Sequence, residues 1–165
     1  MVRWQSPPTG EKMDYNSLIF IHIISVILLL GVGGGSAFYK FMADRSKNLE
    51  VIAHTNRVVV LADWLFTTPS VIVQPISGFM LLNLMGIPLE THWVWLSIIL
   101  YAISISLWLV AVWLQIKMRA LSREALKRGE RLEGNYYKLV SYWIALGVFS
   151  ALLMGIIFLF MVFKY

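Results

Sequence analysis

Four long apolar stretches limit what this 165-residue chain can fold into. They cover about 17–39, 58–84, 93–116 and 139–163, and each exceeds the ~20 residues that a helix needs to cross a bilayer. Spanning segments must satisfy their backbone polar groups internally, which a helix does by itself. With 59% hydrophobic residues, no soluble domain remains outside the stretches. We predict an all-α, four-transmembrane-helix antiparallel bundle, one membrane domain over 17–165 after a polar tail over 1–16.

Basic residues predict how the bundle is oriented. Most of the 14 Lys and Arg residues lie in segments 40–57 and 117–138, whereas the link 86–92 has none. By the positive-inside rule, those two loops are cytoplasmic and both termini lie on the other side of a bacterial plasma membrane. The net charge of +5 then reflects topology and not nucleic-acid binding. The absence of cysteine excludes disulfides and thiolate metal sites.

Aromatic residues also cluster near the predicted membrane interfaces, as aromatic belts do. We interpret most of them as anchors: Trp4, Trp93, Trp95, Tyr136, Tyr137, Trp143 and Tyr165.

Polar residues in and just before the second stretch recur on one side of a helix turning ~100° per residue. These are Asn56, Asp63, Thr67, Ser70, Gln74 and Ser77, which we call the polar line. The opposite side is apolar and suits lipid: Leu61, Leu65, Ile72, Ile76 and Phe79. Polar groups are costly in hydrocarbon, so the polar line is expected to face protein, a cofactor or a water-filled cavity.

The third stretch carries a weaker line of the same kind: Ser97, Tyr101, Ser104, Trp108 and Gln115. Two such faces predict a shared polar interior; the alternative is that the serines mediate helix packing. In the second stretch, Pro69 and Pro75 free the carbonyls of Leu65 and Val71. Nearby partners for those carbonyls are Thr67, Thr68 and Ser70.

Small residues in the first and fourth stretches predict close helix packing. Gly31 with Gly35, and Gly33 with Ala37, form small-xxx-small pairs that permit close backbone approach. The fourth stretch offers a matching surface, made by Gly147, Ala151 and Gly155. We therefore expect spans one and four to pack together.

Three histidines differ in their predicted position. His22 lies inside span one near its outer end, His92 borders span three on the same side, and His54 lies on the opposite side. An intramembrane histidine is a functional candidate, and neutral imidazole is a haem-iron ligand. The alternative for His22 is a hydrogen-bonded interior residue or interfacial anchor, and His92 is more typical of a loop or interface.

Asp63 is the acidic member of the polar line. An unpaired carboxylate there costs several kcal/mol or takes up a proton. A salt bridge to Arg57 or Lys40 is one expectation, and proton delivery to a buried redox site is the other. No nucleophile–base constellation, nucleotide-binding motif or zinc spacing appears in the sequence.

Three segments are similar to a bacterial family of predicted integral membrane proteins of unassigned function, and this resemblance covers nearly the whole chain. They are Ala62-Asp63-Trp64-Leu65-Phe66-Thr67-Thr68-Pro69, Gln74-Pro75-Ile76-Ser77-Gly78 and Trp113-Leu114-Gln115-Ile116-Lys117-Met118-Arg119. Spans one to three distantly resemble the HemJ-type protoporphyrinogen IX oxidases, which are associated with haem b. This second resemblance rests on His22 and on Thr67-Thr68-Pro69 followed by Gly78. It implies that His22 is the haem-linked histidine, although the family's span-three lysine has no counterpart here.

We therefore predict a haem b-binding redox protein that transfers electrons or oxidises a porphyrin- or quinone-like substrate. His22 would be an axial ligand of the haem iron and Asp63 a proton relay. Further cofactor-binding candidates are Gln74, Thr67, Ser70, Tyr101 and His92. One alternative is a non-catalytic membrane subunit or assembly factor of a larger complex, docking through its glycine faces. Another is small-solute transport along the polar line. Expected partners are the lipid bilayer and, beyond it, further copies of the chain or a larger complex, with no nucleic acid.

Overall fold

Four long helices make up the computed structural model, which describes residues 14–163. They are α1 (Tyr15–Ser46), α2 (Leu49–Met85), α3 (His92–Arg128) and α4 (Gly134–Phe163), and all four are long and apolar enough to cross a membrane. No strand occurs in the described part of the chain. The predicted all-α fold with four spans is confirmed, while most of the predicted tail, residues 1–13, lies outside the described residues.

The helices extend well beyond the apolar stretches at the end of the bundle that carries most of the positive charge, here called the basic end. α1 continues to Ser46, and the Asn48 side chain already caps α2 by accepting hydrogen bonds from the Glu50 and Val51 N–H groups. α3 continues to Arg128 and stops at Gly129, whose φ of 66° suits glycine. The predicted loops 40–57 and 117–138 are therefore mostly helical, because hydropathy marks where lipid ends and not where a helix ends.

The helices pack as two pairs, α1 with α2 and α3 with α4. The first half of α2, Leu49–Ala62, also packs against α3 and joins the pairs. The apolar core lies at this level: Ile52, Val59, Ala111, Leu114, Met118, Tyr136, Val140 and Trp143. The second half of α2, Thr68–Met85, packs mainly on α1. The bundle is therefore well packed in its basic half and open farther along.

The predicted close packing of spans one and four is wrong. α1 and α4 contact each other at few positions. A Cβ atom added at Gly31, Gly33, Gly147 or Gly155 would meet no heavy atom within 4 Å outside its own helix backbone. Apolar helix faces gain little free energy by leaving lipid to pack on each other, because lipid tails are as apolar as their side chains. Polar side chains hold α1 on α2 instead, which leaves a space between α1 and α4.

Candidate functional site

Both polar faces predicted from the sequence point into the bundle. Every residue of the polar line is buried, with 2–5% of its surface exposed, whereas Leu61, Leu65 and Ile72 on the opposite side are more than half exposed. On α3, Ser97, Ser104 and Gln115 are buried, and Tyr101 and Trp108 are partly buried. The predicted polar interior is confirmed.

A π-helical turn, Asp63–Thr67, divides α2 into two α-helical segments. The Thr68 N–H donates to the Asp63 carbonyl, five residues back, and the Thr68 hydroxyl donates to the same oxygen at 2.9 Å. Such turns change the phase of a helix and are frequent at functional sites. The half of the polar line nearer the basic end consequently faces α3 and α4, and the other half faces α1.

The carbonyl freed by Pro75 has a partner that sequence reasoning missed. The Tyr101 hydroxyl of α3 donates to the Val71 carbonyl oxygen at 2.8 Å. Pro75 lies within α2 and has no N–H to offer Val71. The position of Tyr101 in the polar face of α3 was the available signal, but its partner depends on how α3 crosses α2.

A cavity of about 520 Å³ lies among all four helices. Its α1 and α4 walls are mostly apolar and include the small residues Gly33, Gly34, Gly147 and Ala151. Its polar side comes from α2 and α3 and consists of Asp63, Thr67, Tyr101, Ser104, Trp108 and Gln115. Its size falls within the ~300–1,000 Å³ range of small-molecule sites.

Four buried side-chain polar atoms lack a hydrogen-bond partner within residues 14–163. They are Asp63 Oδ2, Ser104 Oγ, Trp108 Nε1 and Gln115 Oε1. All four residues line the cavity. Because buried polar groups are nearly always paired in proteins, four orphan atoms in residues lining one cavity indicate that something else pairs with them there.

Asp63 has neither of its predicted cationic partners. Its Oδ1 accepts a hydrogen bond from the Thr67 hydroxyl at 2.8 Å, and its Oδ2 has no partner within residues 14–163. Lys40 instead pairs with Asp44, one turn along its own helix, at 2.5 Å, and Arg57 is exposed. The expected salt bridge to Lys40 or Arg57 is wrong, because Lys40 pairs with Asp44 of its own helix and Arg57 is exposed.

His22 forms a separate cluster with the second half of α2. We call this cluster the His22 clamp; it consists of His22, Ser25, Gln74 and Ser77. His22 Nδ1 lies 2.9 Å from Ser77 Oγ, and its Nε2 lies 3.0 Å from Gln74 Nε2. The Ser25 hydroxyl donates to Gln74 Oε1. A neutral imidazole with its proton on Nδ1 satisfies the set, since Nδ1–H can donate a hydrogen bond to Ser77 Oγ and the Gln74 amide can donate one to Nε2.

The backbone of α2 approaches the His22 ring closely at Gly78. A Cβ atom there would lie 3.3 Å from His22 Cε1, which is a tight contact. None of the four clamp residues lines the cavity. The clamp is therefore a junction between α1 and α2.

The remaining predicted site residues lie elsewhere. Ser70 is buried and borders a shallow groove between α1 and α2. His92 is exposed at the start of α3. The structure thus brings Asp63, Thr67 and Tyr101 together, brings His22 and Gln74 together, and leaves Ser70 and His92 outside both groups. In the part of the chain described, no three His, Cys, Asp or Glu side chains are placed to hold a metal ion.

A buried network at the basic end links all four helices. The Tyr136 hydroxyl donates to Asp44 Oδ1 at 2.8 Å and accepts from Lys40 at 2.7 Å and from Asn56 at 3.0 Å. Asn56 also donates to Ser122 Oγ at 2.9 Å. Tyr136 is 1% exposed and Trp143 is 6% exposed, so these two of the seven interface aromatics are buried in the bundle and are not anchors. The sequence signals were the i, i+4 spacing of Lys40 and Asp44 and the place of Asn56 in the polar line.

Comparison with known proteins places the chain in one family. No curated protein and no solved structure matches it. A family model described as "Predicted integral membrane protein (DUF2269)" matches residues 16–165. That match takes in all four helices and both polar faces. The chain therefore belongs to the DUF2269 family of predicted integral membrane proteins.

Proposed function

We propose that this protein binds a lipid-soluble small molecule with a polar head in the cavity among its four helices. The observation that supports this is the set of four unpartnered polar atoms on cavity-lining residues. Each unpaired buried group costs about 1–3 kcal/mol. A ligand that pairs with several of them therefore gains binding free energy, whereas a lipid acyl chain in the same cavity would leave them unpaired.

The division of the cavity wall orients such a ligand. Polar groups lie on α2 and α3, and the facing walls on α1 and α4 are mostly apolar. A polar head would therefore meet Asp63 and Gln115, with the apolar body against α1 and α4. Because α1 and α4 barely contact each other, a molecule dissolved in the bilayer can enter between them.

Filling the cavity tests the proposal. Gly34 lines the cavity and Gly31 does not, yet both have open space where a Cβ would stand. Protein is extracted with its native lipids in polymer nanodiscs, and retained small molecules are identified by mass spectrometry. The wild type and Gly31→Leu should retain a defined molecule that Gly34→Leu has lost. A wild type that retains none, or a Gly34→Leu variant that retains it equally, would refute the proposal.

The haem b hypothesis remains a prediction from the sequence, and the side chains in this structure fit it poorly. Both ring nitrogens of His22 lie within hydrogen-bond distance of α2 side chains. An axial bond through Nε2 would displace Gln74, and His22 does not line the cavity. Optical spectra of the oxidised and reduced protein test it directly. A Soret band weakened in His22→Ala would support haem binding, whereas a colourless protein from haem-replete cells would exclude it.

A further inference from the structure

We infer that the ligand of this cavity carries a protonated amine with N–H donors, which bind the Asp63 carboxylate and the Gln115 carbonyl oxygen. This inference rests on the proposed function and names the ligand class of the same site. It would make the protein a receptor for amphipathic amines, and it assigns Asp63 to charge pairing with the ligand in place of proton delivery.

The charge of Asp63 is the first reason. Asp63 is 5% exposed, and within residues 14–163 the ion pairs are Lys40 with Asp44 and Arg128 with Glu124. No cation of the described chain therefore neutralises this carboxyl. Ionised groups within a membrane normally pair with one another or face a site that supplies a partner. A cationic ligand supplies that partner.

The pattern of donors and acceptors is the second reason. Asp63 Oδ2 and Gln115 Oε1 are acceptors, and Ser104 Oγ can also accept. A primary ammonium offers three N–H donors, as the lysine head does. A phosphate or carboxylate head would be repelled by Asp63, and a quaternary ammonium has no N–H to donate. Trp108 Nε1 is a donor, so a hydroxyl or carbonyl group on the ligand, or a water molecule, would pair with it.

The aromatic lining is the third reason. Phe38, Phe41, Tyr101, Trp108 and Trp143 all border the cavity. Aromatic faces attract cations by about 0.5–2 kcal/mol and also cover an apolar chain. A neutral head such as a quinol could satisfy the hydrogen bonds, but it would gain neither the cation attraction of the aromatic faces nor a charge pair with Asp63.

Three probes with the same chain length separate these chemistries: dodecylamine, dodecyltrimethylammonium and dodecanol. Each is titrated into the full chain in uncharged detergent micelles, at equal mole fraction in the micelle. The unfolding midpoint rises with the concentration of a ligand that binds the folded state, so its concentration dependence gives an apparent dissociation constant. We expect dodecylamine to bind at least ten-fold more tightly than either other probe.

Two variants test the role of Asp63. Asp63→Asn keeps the shape and removes the charge, and Glu124→Gln removes an exposed acid of the same bundle. Asp63→Asn should lose the preference for dodecylamine, whereas Glu124→Gln should keep it. If Asp63→Asn fails to fold, the comparison of the three probes on the wild type still decides. Dodecanol binding as tightly as dodecylamine, or no saturable binding of dodecylamine, overturns the inference. The proposed function is decided separately by whether the wild type retains a native molecule that Gly34→Leu has lost.

Discussion

At the scale of the residue, Asp63 and His22 show how similar sequence signals lead to different roles. Both are polar side chains within a span. Both ring nitrogens of His22 have partners within the protein, so the residue joins two helices. Asp63 lines the cavity, and its Oδ2 has no partner in the described chain. The candidate binding residue is the one whose hydrogen bonds the protein leaves incomplete.

The His22 clamp is expected to stabilise the fold through a direct coupling of His22 with Gln74. In a double-mutant cycle of His22→Ala and Gln74→Ala, the free energies of unfolding should be non-additive by about 1 kcal/mol, within the range of hydrogen bonds in membrane proteins. Unfolding in mixed micelles measures this. His22→Ala combined with Asp63→Asn is the control and should be additive, since the two residues share no partner. Additive behaviour of His22 with Gln74 would contradict the clamp.

At the scale of the element, α2 determines the site because it is not a uniform helix. The π-helical turn Asp63–Thr67 and the two prolines let one polar line serve different neighbours. Before the turn, Asn56 bonds to α3 and α4. After the turn, Gln74 and Ser77 contact His22 of α1. In a regular helix the whole polar line would face one neighbouring helix, and its side chains could not bond to α1, α3 and α4 together.

The bond from Tyr101 to the Val71 carbonyl should matter only because Pro75 follows. Tyr101→Phe leaves that carbonyl unpaired and should lower the free energy of unfolding by about 1–2 kcal/mol. In a Pro75→Ala background residue 75 regains its N–H, which can bond to Val71, so the same change should cost less. Chemical unfolding of the four proteins of this cycle measures the difference. An equal cost of Tyr101→Phe in both backgrounds would refute the explanation.

At the scale of the whole molecule, the two halves of the bundle are held together differently. The basic half is closed by the apolar core and by the network around Tyr136, which includes groups from all four helices. Toward the other end, the His22 clamp joins α1 to α2, and the cavity separates α1 from α4. A well-packed half beside an open one leaves room for a ligand without loss of the fold.

Tyr136→Phe should destabilise the whole bundle. It removes one hydroxyl that bonds to Lys40, Asp44 and Asn56, and loss of buried hydrogen bonds to charged groups costs about 1.5–3 kcal/mol. The neighbouring Tyr137 is 41% exposed, so Tyr137→Phe is the matched control and should change little. Thermal unfolding in detergent compares the two. Equal effects of the two changes would count against a network that holds the helices together.

The orientation of the bundle can be measured directly because the chain has no cysteine. Glu130 lies in the turn between α3 and α4, and Glu90 lies in the turn between α2 and α3. Under the positive-inside prediction, a membrane-impermeant thiol reagent should label Glu90→Cys in intact cells and should label Glu130→Cys only after lysis. The reverse pattern would invert the predicted topology.

Periodicity and hydropathy by themselves determined the number of spans, the buried side of α2 and of α3, and the lipid-facing side of α2. These are local properties, fixed by helical geometry and by the cost of polar groups in lipid. Only the tertiary structure decided that Tyr136 bonds to side chains of α1 and α2, and that the Tyr101 hydroxyl donates to the Val71 carbonyl. It also decided that Gly33 and Gly34 of α1 face a cavity and not α4. The choice of partner depends on the crossing and register of helices far apart in the chain, which no single helix encodes.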